Sequence, residues 1–210
     1  MKTNAKEFDE IARTIFWPLY PVVAGQMLAR CGRSAGACLD IGCGGGYLGL
    51  ELARRSLFHL RMLDQSSQML EIAQANLTAS GLSGRGEVIL AGVEAMPLPE
   101  ASIDLAISRG SIFFWPDLAT AFKEIWRVLA PGGLAQVGGG FGSAAIREAI
   151  GDKMRARNGG DDKWRAMVRR NLGPETRQKF TEALDEAGVA GAEIIDSEEE
   201  GLWVVLRKPA

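Results

Sequence analysis

Along this chain, short apolar runs closed by glycines alternate with stretches whose apolar positions recur at helical spacing. Phe8, Ile11, Ala12 and Ile15 form the first such stretch, which Pro18 and Pro21 interrupt before a second one from about Val22 to Arg30. These segments predict a helical N-terminal arm. The run Ala37–Ile41 then stops at glycines and precedes the helix-compatible Tyr47–Arg55, giving strand, glycine turn and helix in succession. The same alternation predicts strands over His59–Leu63, Glu87–Ala91, Ile103–Ser108 and Leu134–Gly138. Helices are expected over Ser67–Ser80 and Asp117–Leu129, with another opening at Ser143.

A helix from about Pro174 to Ala187 leads to Ala192–Ile195, and Asp196–Glu200 turns the chain into Leu202–Leu206. Two strands joined by so short a link pair only as an antiparallel hairpin, because a parallel return needs about a dozen residues or more. Strands and helices that alternate through short glycine-rich connections predict a parallel sheet covered on both faces. The expected fold is α/β, Rossmann-like and doubly wound: a mostly parallel seven-stranded sheet with a C-terminal antiparallel hairpin and an N-terminal helical arm. A chain of 210 residues encloses one core. A single domain is expected over residues 1–210, with 1–34 as a helical lid and 35–210 as the Rossmann-like core.

Composition narrows the class. Apolar residues make up 47% and charged residues 24%, the balance of a folded soluble protein. A net charge of -2 gives no general attraction to phosphate backbones, so nucleic acid is not expected as a partner. Between Asp152 and Lys179 nine basic residues meet four acids, which reads as a solvated helix face. The start Met1-Lys2-Thr3-Asn4-Ala5-Lys6-Glu7 has no apolar signal core, and no later run of about 18 apolar residues could span a bilayer. No membrane partner and a cytoplasmic location are expected. Cys31, Cys38 and Cys43 form an odd set without a Cys-x-x-Cys pair, which argues against a disulfide framework and against a metal site. Cys43, inside the glycine loop, reads as a small filler rather than a reactive thiol.

Chemistry concentrates in Leu39-Asp40-Ile41-Gly42-Cys43-Gly44-Gly45-Gly46-Tyr47-Leu48-Gly49. A glycine turn at the carboxyl end of the first strand lets a ligand approach the backbone, with helix N-terminal amides facing it. Gly44, Gly46 and Gly49 satisfy a dinucleotide fingerprint, so an NAD-dependent oxidoreductase is one rival reading. The acid before the glycines separates the two: Asp40-x-Gly42-x-Gly44-x-Gly46 resembles motif I of class I S-adenosylmethionine (SAM)-dependent methyltransferases. Met62–Leu70, with Asp64 ending the second strand, resembles motif II. Gly92–Pro99 with Ser102-Ile103-Asp104 resembles the next region, and Arg127-Val128-Leu129-Ala130-Pro131-Gly132-Gly133 resembles the family's R-x-L-x-P-G-G turn. Their order and spacing resemble those of the small-molecule, UbiE-like, methyltransferase type 11 group.

The resemblance implies SAM as cofactor, S-adenosylhomocysteine as product and a set of site residues. Asp64 at its strand end is placed to accept both ribose hydroxyls. Asp40 would face the methionine end and its ammonium, while Gly42, Gly44 and Gly46 keep that face open. Gln65 and Met69 would flank adenine, although a helical methionine serves equally as core. The family's acid for the adenine amino group falls at Gly92, a departure from the pattern; Val93 still offers an amide, and Glu94 is available at a shifted position. On this alignment Gly92→Asp is expected to tighten SAM binding. Ser108, closing the fourth strand, completes the cofactor set.

Beyond it, Arg109 and Ser111 are substrate-side candidates, with Asp117 as a helix cap and Phe113, Phe114 and Trp115 as core. No Asp-Pro-Pro-Tyr or Asn-Pro-Pro-Tyr stands here, against an amino-methylating DNA enzyme. Trp17-Pro18-Leu19-Tyr20-Pro21 resembles the lid of small-molecule members, with Tyr20 either facing the sulfonium or simply packed. His59, the only histidine, opens the second strand away from the glycine turn. The expected function is methyl transfer from SAM to an unidentified small-molecule acceptor by proximity and orientation. A non-catalytic SAM-binding or partner-binding module is the other alternative.

Overall fold

The computed structural model describes residues 4–210; Met1–Thr3, the first residues of the expected lid, lie outside the described residues. Helix α1 (Ala5–Ile11) starts at Asn4, whose side chain accepts the Lys6 N–H, and continues into a π-helical turn over Ala12–Phe16. Helix α2 (Leu19–Cys31) begins earlier than the prolines suggest. Pro18 is its cap and Pro21 lies in its first turn, where a missing N–H breaks no helical bond.

The core then alternates: β1 (Ala35–Ile41), α3 (Tyr47–Arg54), β2 (Leu57–Asp64), α4 (Ser67–Ala79), β3 (Gly86–Leu90), β4 (Ile103–Arg109), α5 (Leu118–Val128), β5 (Leu129–Gly139) and α6 (Ala144–Arg157). It closes with α7 (Lys163–Asn171), α8 (Pro174–Ala187), β6 (Ala192–Ser197) and β7 (Gly201–Arg207). The seven strands lie in the order β3-β2-β1-β4-β5-β7-β6, parallel from β3 to β5, with β7 antiparallel to both of its neighbours. Strand order reverses between β1 and β4, so their carboxyl ends flank the crevice where such sheets bind ligands.

Alternation along each strand sets the two layers. Cys38, Leu60, Met62, Leu105 and Ile107 point to the face covered by α2, α3, α4 and α6. Leu39, Ile41, Leu63, Ala106 and Val137 point to the face covered by α5 and α8.

Three features differ from the sequence pattern. Strand β5 starts at Leu129 rather than Leu134, because Pro131-Gly132-Gly133 forms a bulge: Leu129 pairs with Ile103, and Leu134 with Leu105. Helix α7 fully buries only Trp164 and packs Val168 partly against the core, a stripe of about one turn that its basic residues hide in the sequence. Phe114, expected in the core, is 72% exposed; it closes a short 3-10 turn in which Ile112 is buried and Phe113 stacks on Phe180. The basic stretch is ion-paired at the surface, with Arg165 bonded to Glu148 and Asp152. Among the described residues no helix is long and apolar enough to cross a membrane.

Candidate functional site

The glycine turn is fastened from below. Gly42 and Cys43 both donate backbone N–H groups to the Leu63 carbonyl, at 2.7 and 3.0 Å, which ties the end of β1 to the end of β2. Asp40 is 2% exposed, and its Oδ2 accepts the Gly49 N–H at 3.0 Å. Burial pushes its carboxyl up to about 7, against the Gly49 hydrogen bond and with a smaller contribution from Asp64. A Cβ at Gly49 would stand 2.8 Å from that carboxylate oxygen, so glycine is what lets α3 sit this close to β1.

The expectation that Gly42, Gly44 and Gly46 all keep a ligand face open needs correction. A Cβ at Gly42 would collide with the Ser111 side chain, and one at Gly46 would stand 2.7 Å from the Met62 sulfur. Both serve close packing. Gly44 alone faces open space, where a Cβ would meet only the Phe8 ring at 3.8 Å.

Asp64 reaches back to the same turn. Its Oδ2 accepts the Gly44 N–H and its Oδ1 the Ser66 N–H, each at 2.9 Å, and each oxygen retains a second lone pair. Ser66 caps α4 through the Met69 N–H at 3.3 Å. Gln65 is exposed beside it and Met69 is half-buried. After β3, the Val93 side chain packs in the core while the Glu94 carboxylate folds back towards Gly92. Glu94 Oε2 lies 3.1 Å from where a Gly92 Cβ would be, and Glu94 Oε1 is buried without a hydrogen-bond partner among the described residues. A carboxylate from two residues later in the chain thus stands beside position 92.

At the end of β4, Ser108 Oγ and Ser111 Oγ are 2.6 Å apart, and Ser111 donates to the Ile41 carbonyl at 2.9 Å. These hydroxyls fasten the β4 loop to β1, and Ser108 is fully buried. Arg109 donates through Nε to the Gly140 carbonyl at 3.0 Å, and its guanidinium lies over the rings of Phe16 and Phe141, at 5.1 and 4.8 Å.

The arm lies over this surface. Tyr20 stacks on Tyr47 at 5.6 Å, and the Tyr47 hydroxyl donates to Asp9 Oδ1 at 2.7 Å. Burial pushes the Tyr20 phenol up, against the pull of Arg109. Asp9, Phe16 and Phe141 escaped the sequence reading, and Phe8 and Tyr47 were read only as helix positions; Asp9 is one acid among several on an exposed helix, with nothing local to mark it. His59 is exposed on β2, away from the turn.

Residues 39–137 match the family model described as a methyltransferase domain. A solved structure from Methanococcus maripaludis, described as a putative SAM-dependent methyltransferase, is 39% identical, with a TM-score of 0.93 over 100% of this chain and 98% of that one. The chain belongs to the SAM-dependent methyltransferases.

Among curated relatives of this methyltransferase, the uncharacterized methyltransferase YdaC of Bacillus subtilis is 32% identical over 47% of this chain and 53% of its own. The malonyl-[acyl-carrier protein] O-methyltransferase of Erwinia billingiae is 37% identical over 45% of this chain and 35% of its own. The chain thus spans about half or less of the length of these relatives. The family's cofactor is SAM, whose hydrogen-bond donors are an ammonium, a ribose diol and an adenine amino group. The crevice answers with acceptors: buried Asp40, Asp64 with spare lone pairs, and the orphaned Glu94 oxygen. The donor and acceptor chemistry fits.

Proposed function

We propose that the protein transfers a methyl group from SAM to a small-molecule acceptor held at the carboxyl ends of β1 and β4. The observation that carries this reading is the pair of carboxylates, Asp40 and Asp64, tied to one glycine turn at the switch point, with Glu94 in the loop after β3 keeping a buried oxygen that has no partner among the described residues.

In this reading Asp40 holds the ammonium, Asp64 the ribose hydroxyls and Glu94 the adenine amino group, each as a charge-assisted acceptor. Gln65 and Met69 flank the base, with Gly92 leaving room and Val93 offering its amide. Gly44 admits the cofactor to the backbone, while Gly42 and Gly46 hold the turn's shape against Ser111 and Met62. Ser108 and Ser111 position the β4 loop that carries Arg109. SAM supplies a methyl already activated on a sulfonium, so no nucleophilic side chain is required. The arm excludes water through Phe8, Phe16 and Tyr20. Burial keeps the Tyr20 phenol neutral, suited to donate a hydrogen bond rather than take a proton. A cytoplasmic setting fits the three unpaired cysteines.

Incubation with methyl-labelled SAM and a small-metabolite extract tests the proposal. S-adenosylhomocysteine should accumulate together with a labelled compound of low mass. Label found only in protein or RNA, or no product at all from a SAM-bound protein, would refute it.

A further inference from the structure

Arg109 is a cation in search of an anion. It ends β4, opposite Gly138 in register, and burial holds its pKa below the usual guanidinium value. Arg30, Arg33, Arg61, Arg127, Arg147 and Arg165 each pair with a carboxylate, whereas Arg109 has no such partner among the described residues. A half-buried charge covered by aromatic rings is ordinarily paired. Its Nε is spent on the Gly140 carbonyl, but its two terminal nitrogens make no hydrogen bond to the described residues. The cation lies over the rings of both Phe16 and Phe141, and Trp164 packs against both rings, with centroids at 6.3 and 5.6 Å. The side chain as a whole is not sealed from solvent.

Resting on the methyl-transfer reading above, we propose that Arg109 binds a carboxylate on the acceptor, so that the substrate is a small organic acid whose apolar body lies among Phe16, Phe141 and Trp164. The two free terminal nitrogens form a planar fork that matches two carboxylate oxygens. Placement supports it: the Ser108–Ser111–Ile41 link sets the end of β4, which carries Arg109, beside the glycine turn. Arg109 thus marks the acceptor side of the crevice and Asp40 the cofactor side. Phe16 belongs to the arm, so movement of the arm uncovers the cation. The carboxylate is the handle, and the methyl goes to another atom of the molecule.

The test uses the full chain saturated with S-adenosylhomocysteine and titrated with acetate, phenylacetate and benzoate, with their neutral amides, and with inorganic phosphate and phenyl phosphate. Tryptophan emission, with Trp164 beside the site, and the melting temperature report binding. The acids should bind and the amides should not. Arg109→Gln should weaken acid binding about tenfold or more, the loss expected for one hydrogen bond to a charged group, with Arg109→Lys falling between. Cofactor-product affinity should stay within about twofold in both variants, since Arg109 sits on the acceptor side. Equal response to acids and amides in the native protein, or full acid binding by Arg109→Gln, overturns the proposal without touching methyl transfer. Phosphates binding more tightly than the acids overturns the carboxylate assignment. Failure of S-adenosylhomocysteine to bind the native protein overturns the methyl-transfer reading itself, and this proposal with it.

Discussion

Asp40 lies beneath the glycine turn with a carboxyl raised to about 7 by burial. Between about pH 4, the ordinary carboxylate value, and pH 7 the folded protein holds a proton there that the unfolded chain has released. Its contribution to stability therefore declines as pH rises through that window. An ammonium beside it favours the ionised form, so SAM binding should release a proton and strengthen as pH rises from about 6 to 8. Calorimetry at pH 6.5 in buffers of different ionisation enthalpy should show the release, and Asp40→Asn should abolish it. Proton-neutral binding by the native protein would contradict the Asp40 assignment. Glu94 invites a second test, because the structure reverses the expectation for Gly92→Asp. A carboxylate at 92 would now face Glu94 at close range, so the single substitution should weaken SAM binding rather than tighten it. Glu94→Gln should cost about 1–3 kcal/mol of SAM affinity, and Gly92→Asp combined with Glu94→Ala should recover part of it. Tighter binding by Gly92→Asp alone would show that Glu94 does not fill this place. Asp64 was readable from sequence because it ends a strand beside a glycine motif, but its bonds to Gly44 and Ser66 were not. Asp64→Ala should therefore lose about 1.5–3 kcal/mol of SAM affinity and loosen the turn as well, with Asp64→Asn milder in both. Unchanged affinity in a folded Asp64→Ala protein would remove it from the site.

Among the elements, the strands were legible as short apolar runs between breakers, the helices α3 to α5 as apolar positions at helical spacing, and the hairpin because its link is too short for any other pairing. The arm was legible only as helix. What it touches depends on Asp9 meeting Tyr47 and Phe16 meeting Arg109, contacts between distant parts of the chain that no local pattern encodes. Two side-chain links should govern its docking. Tyr47→Phe removes the bond to Asp9 and should speed proteolysis within residues 5–16 while the global melting temperature changes little; an unaltered cleavage rate would show that this bond does not hold the arm. Arg30 joins α2 to the sheet by donating to buried Gln136 at 2.9 Å and to Glu200 at 2.8 Å. Arg30→Met strands that buried amide and should cost about 1–3 kcal/mol, a fall of roughly 2–12 °C in thermal unfolding. No shift would mean that Gln136 finds another partner.

For the whole molecule, the doubly wound topology brings Asp40, Asp64, Glu94 and Arg109 to one edge although they are spread over four successive segments. Parallel strands all point the same way, so alternation alone puts every strand-to-helix loop at the carboxyl end of the sheet. That end was predictable; the division of labour along it was not, because whether a glycine serves a ligand or a neighbouring side chain depends on packing that sequence spacing does not record. A crystal structure of the protein with S-adenosylhomocysteine tests this division most directly. The account predicts the amino group of the ligand at Asp40, its ribose hydroxyls at Asp64 and its adenine amino group within hydrogen-bond reach of Glu94 Oε1. A ligand bound elsewhere, or one whose adenine avoids Glu94 while the ribose stays clear of Asp64, would contradict it.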